Sequence, residues 1–411
     1  MTTADIVVIG AGAAGIAAAR WLQDHGRRAT LLEARSRVGG RAWTDTTRFG
    51  FPIDVGAAWL HSADVNPWTN IAREYGFGLI ERLPAWLRWI GAIEAPPEHQ
   101  AAWGAAYDRN DELIAQAAAA GRDVAVADVV PVDEHRPMFD AVMTWAMGAD
   151  SDRISTVDYT RYRNSNVNWA LREGLGALIA RAAQGLDVRL SAPVTRIDWS
   201  GARVAIETPQ GTVEARSAIV TVPPTVLADE STLRFAPALP HPVAEAVAAM
   251  QLGVANKVFF ELEPGALPFE GSVHMVGTDR SSRTAAYQTR PSGQEVLLAY
   301  FGGRLATELE REDQLETFAR EELARIFDAG LVAKIRRSVS SGWAQDPYVR
   351  GSYSVALPGT AHLRERLQAT VGERLFFAGE ACSLESFGTI HGAWHSGVRA
   401  AEAALRTTSG T

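Results

Sequence analysis

Ile6-Val7-Val8-Ile9-Gly10-Ala11-Gly12-Ala13-Ala14-Gly15 is a short apolar run that leads directly into G-A-G-A-A-G. Alanine-rich, helix-forming sequence follows as far as His25, and Gly26 stops it. A second apolar run, Ala29-Thr30-Leu31-Leu32, ends on Glu33, 23 positions beyond Gly10. Strand, glycine turn, helix, strand and acid in this order predict a βαβ unit that binds a dinucleotide. Gly10 permits the tight turn, Gly12 lets the backbone approach a pyrophosphate, and Gly15, beside Ala14, lets helix pack on strand. The unpaired N–H groups and positive dipole end of the helix face the phosphates. Glu33 can accept hydrogen bonds from a ribose and disfavours a 2′-phosphate, so FAD or NAD is expected rather than NADP. Ala34 and Arg35, directly after it, join it as candidate cofactor-binding positions.

The 411 residues carry a net charge of −8 and contain no extended basic run interleaved with aromatics, which argues against nucleic acid. No apolar run reaches the roughly 18 residues a membrane span needs, and the first strand begins too near Met1 for a signal peptide. One cysteine, Cys382, excludes an intramolecular disulfide and a cysteine-rich metal site, and no His/Cys cluster suggests a metal. The expected location is the cytoplasm, and the expected assembly a monomer or homodimer.

Residues 67–150 read as helical, punctuated by Pro84, Pro96, Pro97, Pro131 and Pro137. Strands are expected at 188–190, 194–197, 204–207 and 217–222, then around 254–262, 272–276 and 296–301, with a helix at about 312–328. Leu375-Phe376-Phe377 reads as a further strand and His391 to Arg406 as a closing helix. The predicted fold class is α/β: a Rossmann-like domain made of 1–78, 183–235 and 342–411, and a discontinuous α+β substrate domain with a helical cap made of 79–182 and 236–341.

Only two of the 40 basic residues, Lys257 and Lys334, are lysine. A lysine kept in such an arginine-rich chain points to a need for a compact ammonium. Lys334, in V-A-K-I-R-R, reads as a surface charge, whereas Lys257 lies in the apolar run L-G-V-A-N-K-V-F-F-E-L, where a charge must have a partner.

Four further motifs resemble the flavin-dependent amine oxidases of the monoamine and polyamine oxidase type, over the whole length and in the right order. Arg37-Val38-Gly39-Gly40-Arg41 is similar to R-x-G-G-R, whose glycines and Arg41 face the FAD phosphates. Asp54-Val55-Gly56-Ala57-Ala58-Trp59-Leu60-His61 resembles D-x-G-A-x-W-[IL]-H of polyamine oxidases, and Lys257 falls where the family places a lysine that holds a water against flavin N5. Trp343 to Ser354 and Phe377 to Gly397 match its C-terminal signature.

The resemblance implies that Glu380, with Gly379, holds ribityl or ribose hydroxyls, that the Val194 backbone reads the adenine, and that a helix from Thr389-Ile390 aims N–H groups at flavin N1 and C2=O. Tyr353 would be one wall of an aromatic cage for the amine. Ser352 stands where monoamine oxidases have the flavin-linking cysteine, so the FAD is expected to be non-covalent. Thr389 replaces the second cage tyrosine, which shifts that role to Phe387 or Trp394. The implied activity removes a hydride from the carbon next to an amine nitrogen and passes electrons to O₂, giving imine and H₂O₂. His61 suggests polyamines; Trp68, Trp86, Trp89, Trp103 and Trp145 could equally line a pocket for an arylalkyl amine. A C–C desaturase or protoporphyrinogen-type oxidase on the same scaffold, and a non-catalytic flavin-binding scaffold, are the competing readings.

Overall fold

The computed structural model describes residues 2–81, 88–278 and 281–409; Pro84 and Trp86 lie outside the described residues. Strand β1 (Thr2–Ile9), helix α1 (Ala13–Asp24) and strand β2 (Ala29–Leu32) form the expected βαβ unit, with β1 and β2 parallel. On its other side β1 pairs in parallel with β3 (Gly211–Val220), which is parallel in turn to Leu375–Phe377. The nine-stranded sheet so formed is buried on both faces, as parallel strands require.

The C-terminal helix Ile390–Ser409 lies against α1, and the contact explains two small residues. A Cβ on Gly397 would meet the Ala14 carbonyl oxygen at 2.1 Å, and one on Gly15 would meet the Gly10 carbonyl oxygen at 2.0 Å. Only hydrogen at these points lets the two helices and the β1 turn close on one another. Gly10 itself turns at φ +103°.

A seven-stranded sheet forms the second layer. Its middle is β4 (Ala255–Leu262), β5 (His274–Val276), β6 (Ala286–Thr289) and β7 (Val296–Gly302), in the order β4-β7-β6-β5. Strand alternation gives this sheet two faces of different use. Val258, Phe260, Met275, Tyr287, Leu297, Ala299 and Phe301 enter a core with helices Gly303–Arg311 and Leu315–Ile326. On the other face, cross-strand pairing sets Lys257, Tyr300, Ala286, Val276 and Ile90 in one row. The adjacent row is Phe259, Leu298, Gln288 and His274.

Several expectations are corrected. Within 67–150, helices Pro67–Glu74, Pro97–Ala119 and Arg136–Met147 are present, but Trp89–Ile90 and Ile93–Glu94 form a hairpin at the edge of the second sheet, turned by Gly91 at φ +56°. The helix expected at 312–328 is Leu315–Ile326, but a further helix, Gly303–Arg311, precedes it unexpectedly and is separated from it at Asp313, whose φ is +54°. Strand β6 was not anticipated, because its flanks are polar. Val194 precedes its strand, which begins at Arg196. Among the described residues, no helix is long and apolar enough to cross a membrane, and no group of three or more His, Cys, Asp or Glu could hold a metal.

Candidate active site

The cofactor side begins where β1 ends. Gly12 caps α1 without any side chain, so the first N–H groups of that helix have no intrahelical acceptor. A Cβ on Gly12 would meet nothing nearer than the Gly40 Cα at 3.9 Å, leaving the cradle open to a phosphate. The Glu33 carboxylate accepts the N–H groups of Ala11 at 2.8 Å and Arg35 at 2.9 Å, which pins the turn. A carboxylate has about four lone-pair positions, so some remain for ribose hydroxyls. The Arg35 guanidinium pairs with Asp346 and packs over Tyr348; Ala34 lies between it and Glu33.

Arg41 donates to the Ser352 carbonyl oxygen at 2.6 Å and to Glu380 at 2.7 Å. Glu380 also accepts from the Ser354 hydroxyl (2.7 Å) and the Gly388 N–H (2.7 Å), and these cationic and hydroxyl partners lower its pKa despite burial. Sequence reasoning missed the support beneath it. Arg364 and Asp158, both fully buried, form an ion pair at 2.6 Å, and Arg364 donates to Ser354 and stacks over Phe387 at 4.1 Å. Gly379 turns at φ +139° with open space where its Cβ would stand, and it borders a cleft with Arg41 and Thr221. Thr389 accepts the Gly392 N–H at 3.0 Å and so caps the C-terminal helix, whose first residue is Ile390. Val194 is a half-buried loop residue.

Lys257 reaches from β4 to the D-V-G-A-A-W segment. Its Nζ donates to the carbonyl oxygens of Asp54 (2.9 Å) and Gly56 (2.6 Å) and lies 5.5 Å from the Trp59 ring centroid. Burial lowers its pKa to about 8, against the opposing pull of Asp54. The Asp54 carboxylate is spent elsewhere: Thr44 Oγ1 donates to it at 2.5 Å and the Leu175 N–H at 2.9 Å, and burial raises its pKa. Gly56 must be glycine, since a Cβ would sit 1.8 Å from the Arg41 carbonyl oxygen and 3.2 Å from the Trp343 ring. Trp343 is buried there and donates its Nε1–H to the Val55 carbonyl oxygen at 3.3 Å; Ala57 donates its N–H to the Arg41 carbonyl.

Three aromatic rings gather beside Lys257. Tyr353 donates its hydroxyl to the Trp145 carbonyl oxygen at 2.5 Å, and its oxygen lies 2.9 Å from that of Tyr300. Tyr300 stands next to Lys257 in the sheet and meets Trp59 edge-on at 5.9 Å. Burial raises the pKa of Tyr300 to about 12 and that of Tyr353 well above its ordinary value, so both stay neutral. Tyr300 was missed from sequence: its pairing with Lys257 spans 43 residues, and no local pattern reports it.

The two candidates for a second cage wall stand elsewhere. Phe387 is 3% exposed and packs in a core with Tyr162 under Arg364. Trp394 packs edge-on against Trp68 at 4.9 Å. Of the four described cap tryptophans, Trp68, Trp89 and Trp103 belong to core clusters away from the tyrosine pair; Trp145 alone joins Tyr300 and Tyr353.

His61, 6.1 Å from the Trp59 ring, is held by Asn168, whose Oδ1 lies 2.8 Å from its Nδ1. Because that oxygen only accepts, Nδ1 carries the proton and Nε2 is left as an acceptor. Burial lowers the pKa of His61; His391, pushed down to about 4 by burial and by its histidine neighbours, is neutral as well.

An open glycine cradle at a helix N-terminus, an acid at the end of β2 and a second helix start at Ile390 together suit FAD. The profile of the family described as flavin containing amine oxidoreductase matches residues 13–85 and 136–405. Polyamine oxidase 4 of Oryza sativa subsp. japonica is 31% identical over 97% of this chain and 88% of its own length, and polyamine oxidase 2 of Arabidopsis thaliana 30% identical over 97% and 87%. Lysine-specific histone demethylase 2 of Homo sapiens is 25% identical over 96% of this chain, which spans 53% of that protein. A wild-type putrescine oxidase structure bound to putrescine superposes with a TM-score of 0.81 at 21% identity, covering 98% of this chain and 99% of its own, and so shares the fold. The chain belongs to the flavin-containing amine oxidoreductases and is an FAD-dependent amine oxidase.

Proposed function

We propose that this oxidase acts on di- or polyamines, and that the acceptor nitrogen of His61 is what selects them. When bound, FAD takes a hydride from the carbon next to the amine nitrogen and returns the electrons to O₂ as H₂O₂. Tyr353, Tyr300 and Trp59 enclose the reacting amine; their neutral, desolvated walls favour the free base whose lone pair hydride loss requires. Tyr300 thereby takes the place that sequence assigned to Phe387 or Trp394. Lys257, with two Nζ positions committed to carbonyls, holds a water toward the flavin with the third. Asn168 fixes the His61 tautomer, so Nε2 accepts an N–H from the second, protonated nitrogen of the substrate.

On the cofactor side we assign Gly10, Gly12, Ala14, Gly15, Gly40 and Arg41 to the phosphates, Glu33, Ala34 and Arg35 to the adenosine ribose, and Gly379 and Glu380 to the remaining hydroxyls. Gly56, Ala57, Ala58, Trp343, Thr389 and Ile390 border the flavin. The FAD is held without a covalent bond, since the Ser352 hydroxyl is engaged with the Ala255 backbone and Cys382 is buried with its pKa raised to about 12. The two sheets divide the work, cofactor on the first and amine on the second. We place the enzyme in the cytoplasm, a proposal consistent with its single cysteine. A panel of mono-, di- and polyamines assayed for peroxide tests the substrate class: the largest kcat/KM is expected for a substrate with a second nitrogen, and equal or better turnover of arylalkyl monoamines would overturn it.

A further inference from the structure

Arg364, on the 3₁₀ helix Ala361–Gln368, and Asp158, on the helix Thr156–Arg161, are both fully buried. Nε and Nη2 of Arg364 form a fork on the two Asp158 carboxylate oxygens, at 2.8 and 2.6 Å. Its Nη1 donates to the Ser354 hydroxyl oxygen at 2.8 Å and to the Ala381 carbonyl oxygen at 3.1 Å. A guanidinium cannot accept, so the single Ser354 hydroxyl proton is left for Glu380 Oε2, 2.7 Å away. The Gly388 N–H also falls on Oε2, at 2.7 Å, which leaves Oε1, beside Arg41, as the less filled oxygen.

Asp158 is built into the helical part of the chain. Ser155 Oγ accepts the Asp158 N–H at 3.0 Å and donates to Asp123, whose other oxygen accepts the Ala361 N–H at 3.1 Å. Helices Pro97–Ala119 and Arg136–Met147 share one core with Val355, the neighbour of Ser354, and with Phe387, whose ring lies 4.1 Å from the Arg364 guanidinium. Two charges buried this deeply add little stability over an apolar pair of the same volume, so stability alone does not account for them. An apolar pair, however, could not hold the Ser354 hydroxyl.

We propose that Arg364 is a positioning residue that couples the FAD held at Glu380 to the helical segment 97–161; the inference rests on the assignment of FAD hydroxyls to Glu380. Ordering of Glu380 by the cofactor passes through Ser354 and Arg364 to Asp158, and docking of the segment tightens the cofactor by the same factor. Tyr353, next to Ser354 in the chain, is held at the same junction, so the cage wall is set when FAD binds.

Two variants separate this role from packing. Arg364→Met combined with Asp158→Leu removes both charges and should unfold in denaturant near wild type. Arg364→Lys keeps a charge opposite Asp158 but lacks the fork that also reaches Ser354. In each, FAD should leave the holoenzyme about 10-fold faster, read from the rise in flavin fluorescence on dilution. Hydrogen exchange is the second readout. In the wild-type holoenzyme, excess FAD should slow exchange of the amides in 155–161 about 10-fold, and both variants should lose that dependence. Wild-type FAD release in both variants, exchange at 155–161 that ignores FAD in wild type, or a dependence that survives in both variants would overturn the proposal and leave the pair a packing device. Glu380→Gln checks the underlying assignment. Unchanged FAD release in Glu380→Gln would defeat the placement of FAD at Glu380, whereas faster release there with none in the Arg364 variants would overturn the coupling alone. Should the double variant not fold, Arg364→Lys carries the test.

Discussion

Replacing Lys257 by Met separates its chemical role from its structural one. Methionine fills a similar volume with a flexible apolar chain. The lysine pKa, lowered from 10.5 to about 8 by burial, corresponds to a penalty of about 3 kcal/mol for holding the ammonium in place. Against it stand two hydrogen bonds, to the carbonyl oxygens of Asp54 and Gly56, worth about 1.5–3 kcal/mol each as charge-assisted bonds. The balance favours the lysine by about 0–3 kcal/mol, so Lys257→Met should be destabilised by no more than about 3 kcal/mol at pH 7 and should keep its FAD. Flavin chemistry should slow about 10- to 100-fold, the low end for a positioned proton-handling group. Linkage adds a second signature. Because the folded pKa lies below the unfolded one, the unfolded chain binds more protons between pH 8 and 10.5, and wild-type stability should rise with pH across that window relative to the variant. Stopped-flow reduction and reoxidation, with denaturation at pH 7, 8, 9 and 10, measure both effects. Unchanged rates in the variant, or parallel stability curves, would refute the assignment of a buried ammonium serving the flavin.

His61→Ala should lower kcat/KM for a di- or polyamine by about 1–3 kcal/mol in transition-state terms and hardly affect an arylalkyl monoamine, whereas Tyr353→Ala should harm both. An equal loss for both substrates at His61 would make it a support of the local backbone. The rate of flavin reduction should rise between about pH 7 and 9, because a free alkylamine is protonated up to about pH 10 and aromatic enclosure lowers that value. Lys257 loses its proton in the same range, so the rise should persist in Lys257→Met if it belongs to the amine. Acid precipitation should release all the FAD; yellow colour left in the pellet would contradict the non-covalent assignment.

The cofactor half of the site is legible in sequence because its parts are local. Gly10, Gly12, Gly15 and Glu33 lie within 24 residues of one another, and each spacing has a steric meaning that one βαβ unit fulfils. Lys257 stands out for a different reason: a charge inside an apolar strand must be partnered. What escaped sequence reasoning depends on pairing between distant segments. Tyr300 reaches Lys257 through antiparallel register, Asn168 reaches His61 across 107 residues, and Arg364 reaches Asp158 across 206. Our assignment of the second wall to Tyr300, in place of Phe387 or Trp394, has the same origin, since a residue adjacent in sequence to the site motif can face its own core. Short strands such as Trp89–Ile90 carry too few residues for alternation to register.

The central claim is that Tyr300, Tyr353, Trp59 and His61 present a di- or polyamine to the FAD held by the first sheet. Anaerobic mixing of the purified enzyme with putrescine or a longer polyamine tests this most directly. Full bleaching of the flavin absorbance, faster than with a matched monoamine and slowed by His61→Ala, is the predicted result. A flavin that stays oxidised with every di- and polyamine, or that bleaches as fast with monoamines and regardless of His61, would contradict it.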